Sequence, residues 1–202
     1  MNTDKPRKRD LTRAKVIGAA IDCIYDEGFH AAHTNRIADQ AGVSWGVLQY
    51  HFGDKDGLLQ AVLDNIFDHF TNSLANANLQ QGELKLRISA LVNVLWSQVN
   101  QPQYRVSIAI LRNAGRNSDS SINGQEYLDK WSREIAELWD QVFEEYQAET
   151  AKTGTARRLL FAALRGLADE LNPQDKITKK QSRQELEALS SATYFLLSGE
   201  ST

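Results

Sequence analysis

One glycine restricts this chain more than any other residue. Gly42 separates two short runs in the segment Thr34-Asn-Arg-Ile-Ala-Asp-Gln-Ala-Gly-Val-Ser-Trp-Gly-Val-Leu-Gln-Tyr-His-Phe52. Thr34 is a residue type suited to capping a helix N-terminus, and the run behind it stops at Gly42. Glycine can take the left-handed conformation that lets a chain leave a helix sharply. Ser44 can cap a second brief helix that reaches about His51. Ala38 is small, so two helices can cross closely above it. Val43 and Leu48 are apolar where side chains pack under the turn, and Ile37 and Phe52 complete a small core. Two brief helices joined in this way form a helix-turn-helix, whose second helix can enter a DNA major groove. The competing reading is a helical hairpin that merely packs.

The second helix would expose Ser44, Trp45, Gly46, Gln49 and Tyr50. Gln49 can pair bidentately with adenine N6 and N7. Trp45 can contact a thymine methyl or lie along a sugar edge, and Gly46 lets backbone approach the groove wall. Ser44, Tyr50, His51 and Lys55 are donors suited to phosphate, and Thr34 stands at a helix N-terminus, where an anion is favoured.

The rest of the chain is poor in punctuation, with 12 glycines and 3 prolines in 202 residues, which favours long helices over many short strands. Apolar residues fall at helical spacing from Val16 to Ile24, and Gly28 ends that run. Asp54 can cap a helix after Gly53. Long amphipathic segments then follow: Leu58 to Leu79, Glu83 to Val99, Tyr104 to Arg116 and Tyr127 to Thr150. A break is expected at Lys152 to Thr155, then a helix from Ala156 to Leu171 stopped by Asn172-Pro173. A polar stretch from Gln174 to Ser182 leads to a last helix over Arg183 to Leu197. The expected fold is all-α, with about nine helices. It divides into a basic flexible arm (1–9), a helix-turn-helix domain (10–54) and a larger helical domain (55–202).

Charge is unevenly placed. Residues 1–15 carry six bases and two acids, whereas the whole chain has a net charge of −3. A basic segment thus precedes an acidic body. Arg7, Lys8 and Arg9 can attract phosphate or reach a neighbouring minor groove, and a solvated terminus is the alternative.

The helix-turn-helix segment resembles the N-terminal domain of TetR/AcrR-type transcriptional regulators. The resemblance rests on Thr34, Ile37-Ala38, Ala41-Gly42-Val43-Ser44, Gly46, Leu48, Tyr50-His51-Phe52, and Lys55 with Leu58, and spans about residues 12–60. Gln49 departs from the pattern, since many relatives carry an aromatic there, so no operator sequence can be borrowed. The resemblance implies an all-helical homodimer that reads palindromic double-stranded DNA and responds to a small effector. It assigns phosphate contacts to Thr34, Tyr50, His51 and Lys55, and base reading to Trp45, Gly46 and Gln49.

The larger domain shows no motif. Trp96, Trp131 and Trp139 can wall an effector pocket or fill a core, and Arg112 can meet an anionic effector, pair with an acid or lie in solvent. Leu160, Leu164, Leu167 and Leu171 form one leucine stripe, and Leu186, Leu189, Leu196 and Leu197 another. Two such helices from each of two subunits would make a four-helix bundle, or the stripes would bury within one subunit.

Other chemistry finds little support. His30 and His33 sit in a loop without further ligands at metal spacing, so no metal or cofactor is expected. Cys23 alone allows no intrachain disulfide and fits a small core residue in a reducing, cytoplasmic setting. There is no phosphate-binding glycine loop and no nucleophile arrangement, so an enzyme is not expected. No apolar run approaches the ~20 residues of a membrane span. The expected function is a ligand-responsive repressor, with an activator of the same fold or a helical scaffold as alternatives.

Overall fold

The computed structural model describes residues 8–114, 120–146, 150–170 and 178–198. Among them lie nine helices and no strand: α1 (Lys8–Glu27), α2 (Thr34–Ala41), α3 (Trp45–Phe52), α4 (Lys55–Ala75), α5 (Leu84–Val99), α6 (Pro102–Ala114), α7 (Gly124–Phe143), α8 (Thr150–Glu170) and α9 (Thr178–Ser198). The all-α expectation holds.

Two compact units form. The first takes the described residues of Met1–His69 and Pro102–Leu128, and the second those of Phe70–Gln101 and Asp129–Thr202. In the first, α1 packs against α2 and α6, and α2 against α3. Its core includes Val16, Ala20, Ile24, Ile37, Ala38, Leu48, Leu58, Val62 and Ile110, all buried. Each such aliphatic contributes about 1.5–3 kcal/mol through removal from water. In the second unit α5, α8 and α9 pack mutually. The core side of α5 is the helical stripe Leu84, Ile88, Leu91, Val92, Leu95 and Val99.

Helix ends differ from the expectations in instructive ways. Residue 33, not Thr34, holds the N-cap position of α2: His33 is extended (φ −83°, ψ 150°), and the Ile37 N–H donates to its carbonyl at 3.0 Å. Thr34 is therefore the first residue inside the helix. Lys8 and Arg9 are not part of a flexible arm but form the first turn of α1, where Thr12 Oγ1 donates to the Lys8 carbonyl at 3.0 Å. The helix α8 already runs at Lys152–Thr155, so no break occurs there; Gly154 is tolerated inside the helix at a cost of about 1 kcal/mol. The helix α9 starts at Thr178, earlier than Arg183, because its polar first turn continues into the apolar stripe without a breaker. Conversely, α4 ends at Ala75, short of Leu79, and α7 at Phe143, short of Thr150. Asn172-Pro173 and most of the loop at Asn117 to Ser121 lie outside the described residues.

Arg87 was not singled out by sequence reasoning, yet it is only 7% exposed. Its Nε donates to the Gly82 carbonyl (2.8 Å), Nη1 to the Val142 carbonyl (3.1 Å) and Nη2 to a Glu145 oxygen (2.8 Å). The guanidinium also lies 5.2 Å from the Tyr146 ring centre. It thereby satisfies a carbonyl at the end of α7 that the helix itself cannot pair. No sequence signal separates it from an exposed arginine.

Candidate nucleic-acid interface

Local chemistry builds the helix-turn-helix. Gly42 is left-handed (φ 59°), and the N–H groups of Gly42 and Val43 donate to the carbonyls of Asp39 and Ala38, both at 3.0 Å. Those two bonds close α2 and turn the chain. Ser44 then caps α3, its Oγ accepting from the Val47 N–H at 3.4 Å. After Gly53 (φ 78°), Asp54 Oδ1 accepts from the Gly57 N–H at 2.8 Å and starts α4. Gly57 is required by contact: a Cβ there would stand 2.1 Å from the Phe52 carbonyl oxygen.

With both ends fixed, α3 divides sharply. Leu48 and Phe52 are buried, while Gly46 and Gln49 are exposed, with Trp45 51% and Tyr50 73% exposed. Large aromatics normally supply buried area, so two of them held in solvent on one short helix mark a contact surface. Ser44 is also exposed, and Thr34, His51 and Lys55 are half-buried.

The cations around α3 have distinct placements. The Arg9 guanidinium lies 5.9 Å from the Tyr50 ring centre, and that of Arg13 lies 4.8 Å from the Phe52 ring while donating to the His51 carbonyl at 3.2 Å. Arg9 and Arg13 thus lean on α3. Lys8 is exposed beside them in sequence, and Arg7 lies outside the described residues. Lys55 Nζ is 5.1 Å from the Phe29 ring. Arg36 is engaged by Glu27, with Nη2 2.6 Å from Oε1 and Nε donating to both carboxylate oxygens. That bonding holds the Glu27 carboxyl below its ordinary range and raises Arg36. Cys23 is buried in the same unit, and burial first, then Glu27, raises its thiol.

Asp56, in the first turn of α4, was not anticipated. Its Oδ2 accepts from Ser120 Oγ (3.1 Å), the Ser121 N–H (2.6 Å) and Ser121 Oγ (3.2 Å). The start of α4 is thereby bonded to the segment between α6 and α7. Tyr127 donates to Asp64 Oδ1 at 3.1 Å, and burial with that carboxylate raises its phenol to about 12.

The residues considered for an effector are divided between the two units. Arg112 is exposed on α6 in the first unit. In the second, Trp131 stacks on Phe70 at 5.8 Å, and Trp139, 2% exposed, packs on Phe143 at 4.7 Å. Trp139 Nε1 has no hydrogen-bond partner among the described residues. Trp96 is half-buried and lines a cavity between α5 and α9.

The leucine stripes need a correction. Leu160 and Leu164 are 2% and 0% exposed within the single chain, so they cannot also form a face between subunits. Leu167 and Leu189 are half-buried, and Leu171 lies outside the described residues. Outward apolar groups on these helices are Leu196, which belongs to the expected second stripe, together with Leu159 and Phe195. A heptad-like spacing identifies a buried stripe without saying what buries it.

Residues 16–62 match the family model "Bacterial regulatory proteins, tetR family". The HTH-type transcriptional regulator BetI of Escherichia coli O45:K1 is 35% identical over 86 residues, covering 42% of this chain and 44% of that protein. The matching part thus spans less than half the length of this curated relative. Salmonella enterica GusR shares the fold over 96% of this chain and 100% of its own, with a TM-score of 0.73 at 19% identity. Transcriptional regulator FadR from Bacillus subtilis, solved with stearoyl-CoA, does so over 93% and 99%, with a TM-score of 0.61 at 17% identity. Residues 16–62 thus carry a helix-turn-helix similar to that of tetR-family bacterial regulatory proteins, and the described helices share their fold with these solved regulators.

Proposed function

We propose that this chain is a ligand-responsive repressor that binds a palindromic operator as a homodimer. The observation that carries the reading is the solvent face of α3, where Trp45, Gly46, Gln49 and Tyr50 are exposed on a helix whose other side is locked into the core. Trp45, Gly46 and Gln49 read bases, and Thr34, Ser44, Tyr50, His51 and Lys55 hold phosphates. Residues 10–54 form the reading domain and 55–202 the effector and dimerisation domain. Arg9 and Arg13, drawn onto α3, add positive charge beside the reading helix rather than acting as a free arm.

Two heads of a dimer must meet half-sites about 34–36 Å apart. A small molecule bound in the larger domain would shift α4 and spoil that spacing. The bonds from Ser120 and Ser121 to Asp56 supply a physical link into the first turn of α4. The unpartnered Trp139 Nε1 offers a ligand acceptor a donor, and FadR's complex with stearoyl-CoA supports a small-molecule role for this fold. Pairing of subunits would use the outward groups Leu159, Phe195 and Leu196. No helix among the described residues is long and apolar enough to cross a membrane, and the proposed protein is a cytoplasmic regulator rather than an enzyme.

The test is selection of binding sites from random duplexes, with Gln49→Ala beside the natural chain. An enriched palindrome, altered in the variant and bound less tightly as salt rises, supports the reading. Loss of the Gln49 pair should cost about 1–3 kcal/mol in discrimination. No enrichment at low salt without effector overturns it and favours a packing role for the head.

A further inference from the structure

We infer that the cavity between α5 and α9 binds an uncharged polyhydroxylated molecule of sugar size. The cavity measures about 730 Å³ and lies within the second compact unit. That is inside the range of roughly 300–1,000 Å³ typical of small-molecule sites.

Its lining differs from an ordinary solvated helix face. From α5 it receives Ser89, Asn93 and Trp96, from the residue that caps that helix Asn100, and from α9 Ser190 and Ser191. A solvated stripe is normally dominated by long charged side chains. Here hydroxyls and amides outnumber the charged Lys85, Arg183 and Glu187 around one half-buried indole.

The hydrogen-bond inventory specifies the occupant. Asn93 Nδ2 donates to the Ser89 carbonyl (2.8 Å), Ser190 Oγ to that of Leu186 (2.8 Å) and Ser191 Oγ to that of Glu187 (3.0 Å). The two serine protons are spent within α9, which leaves their oxygens as acceptors, while Asn93 keeps a second N–H to donate. Asn100 Oδ1 is buried with no partner among the described residues. The lining thus presents donors as well as acceptors, one of them buried, and an occupant whose groups both donate and accept is favoured.

Charge then separates two kinds of donor. Arg183 and Glu187 neutralise each other at 3.1 Å, and Lys85 leaves the lining with one excess positive charge. Ammonium donors are disfavoured and hydroxyls remain. Leu186 and Trp96 are the apolar side chains of the lining, and a single indole face suits the C–H side of a sugar ring. Binding here does not depend on the head's reading of DNA.

The test is calorimetric titration of the full chain, without DNA, with glucose, galactose, mannose, sucrose, trehalose, maltose and myo-inositol, and with choline and decanoate as controls. Saturable binding of one of the polyols is expected, weakened about tenfold by Asn93→Leu and similarly by Ser190→Val. Asn93 is exposed, so its variant retains the fold. Trp96 fluorescence should change with the same saturation curve and lose that response in Trp96→Phe. No heat from any polyol at about 10 mM, where even a millimolar site would be filled, overturns the inference. So does preference for choline or decanoate, or polyol binding unaffected by both variants.

Discussion

Trp45 and Trp139 are the same residue type in opposite employment. Trp139 is 2% exposed and packs on Phe143, whereas Trp45 is 51% exposed at the start of α3. In the larger unit Trp131 and Trp139 serve as volume. The head keeps two of its aromatics in water while Leu48 and Phe52 beneath them hold α3 in place. Exposure on one side of α3 is matched by burial on the other, and that burial fixes the pose of the exposed face.

Alanine at each tryptophan should expose this contrast at full scale. Trp139→Ala removes a core side chain and should destabilise the fold by about 3–5 kcal/mol. Trp45→Ala should change stability by less than about 0.5 kcal/mol, as surface substitutions do, yet weaken binding to a selected operator. Chemical denaturation and operator titration of both variants check the pair. A large stability loss in Trp45→Ala would show that its indole packs rather than reads.

Gly57→Ala sharpens the same comparison inside the head. The added Cβ meets the Phe52 carbonyl oxygen at 2.1 Å, a backbone atom with no flexible side chain to yield. The α3–α4 junction must shift, at a cost of about 1–3 kcal/mol. Because that junction sets the pose of α3, DNA affinity should fall although no DNA-facing atom is altered. A melting temperature and affinity equal to those of the natural chain would show that the junction is loose.

How much was legible follows from these positions. The helix-turn-helix could be read because its determinants are local: Gly42 supplies a left-handed turn, Ser44 a cap, and Ile37 and Leu48 a buried face at short spacing. Gly57 and Asp56 escaped notice because their partners, the Phe52 carbonyl and Ser120 with Ser121, are set by the folded path of the chain. The leucines failed differently. Periodicity grouped Leu160 with Leu164 correctly but could not say that burial is complete within one chain. Arg87 reads as a surface cation until the Gly82 and Val142 carbonyls close around it.

The smallest expected effect contrasts two arginines. Arg87 is 7% exposed and bound largely by carbonyls, which do not titrate, whereas Arg36 is bound to the exposed carboxylate of Glu27. Hydrogen bonding from Arg36 lowers the Glu27 carboxyl from its ordinary value of 4.5. The folded state therefore holds this proton more weakly than the unfolded chain does. Its stabilisation is fully present above pH 4.5 and is lost as pH falls through the lowered folded value. Glu27→Gln should consequently melt slightly below the natural chain at about pH 6, and the gap should close towards about pH 3. Salt should shrink the gap at pH 6, because an exposed pair is screened. A gap unchanged by both acid and salt would mean that Glu27 acts through packing, as Arg87 does, and that the two arginines are not a contrast.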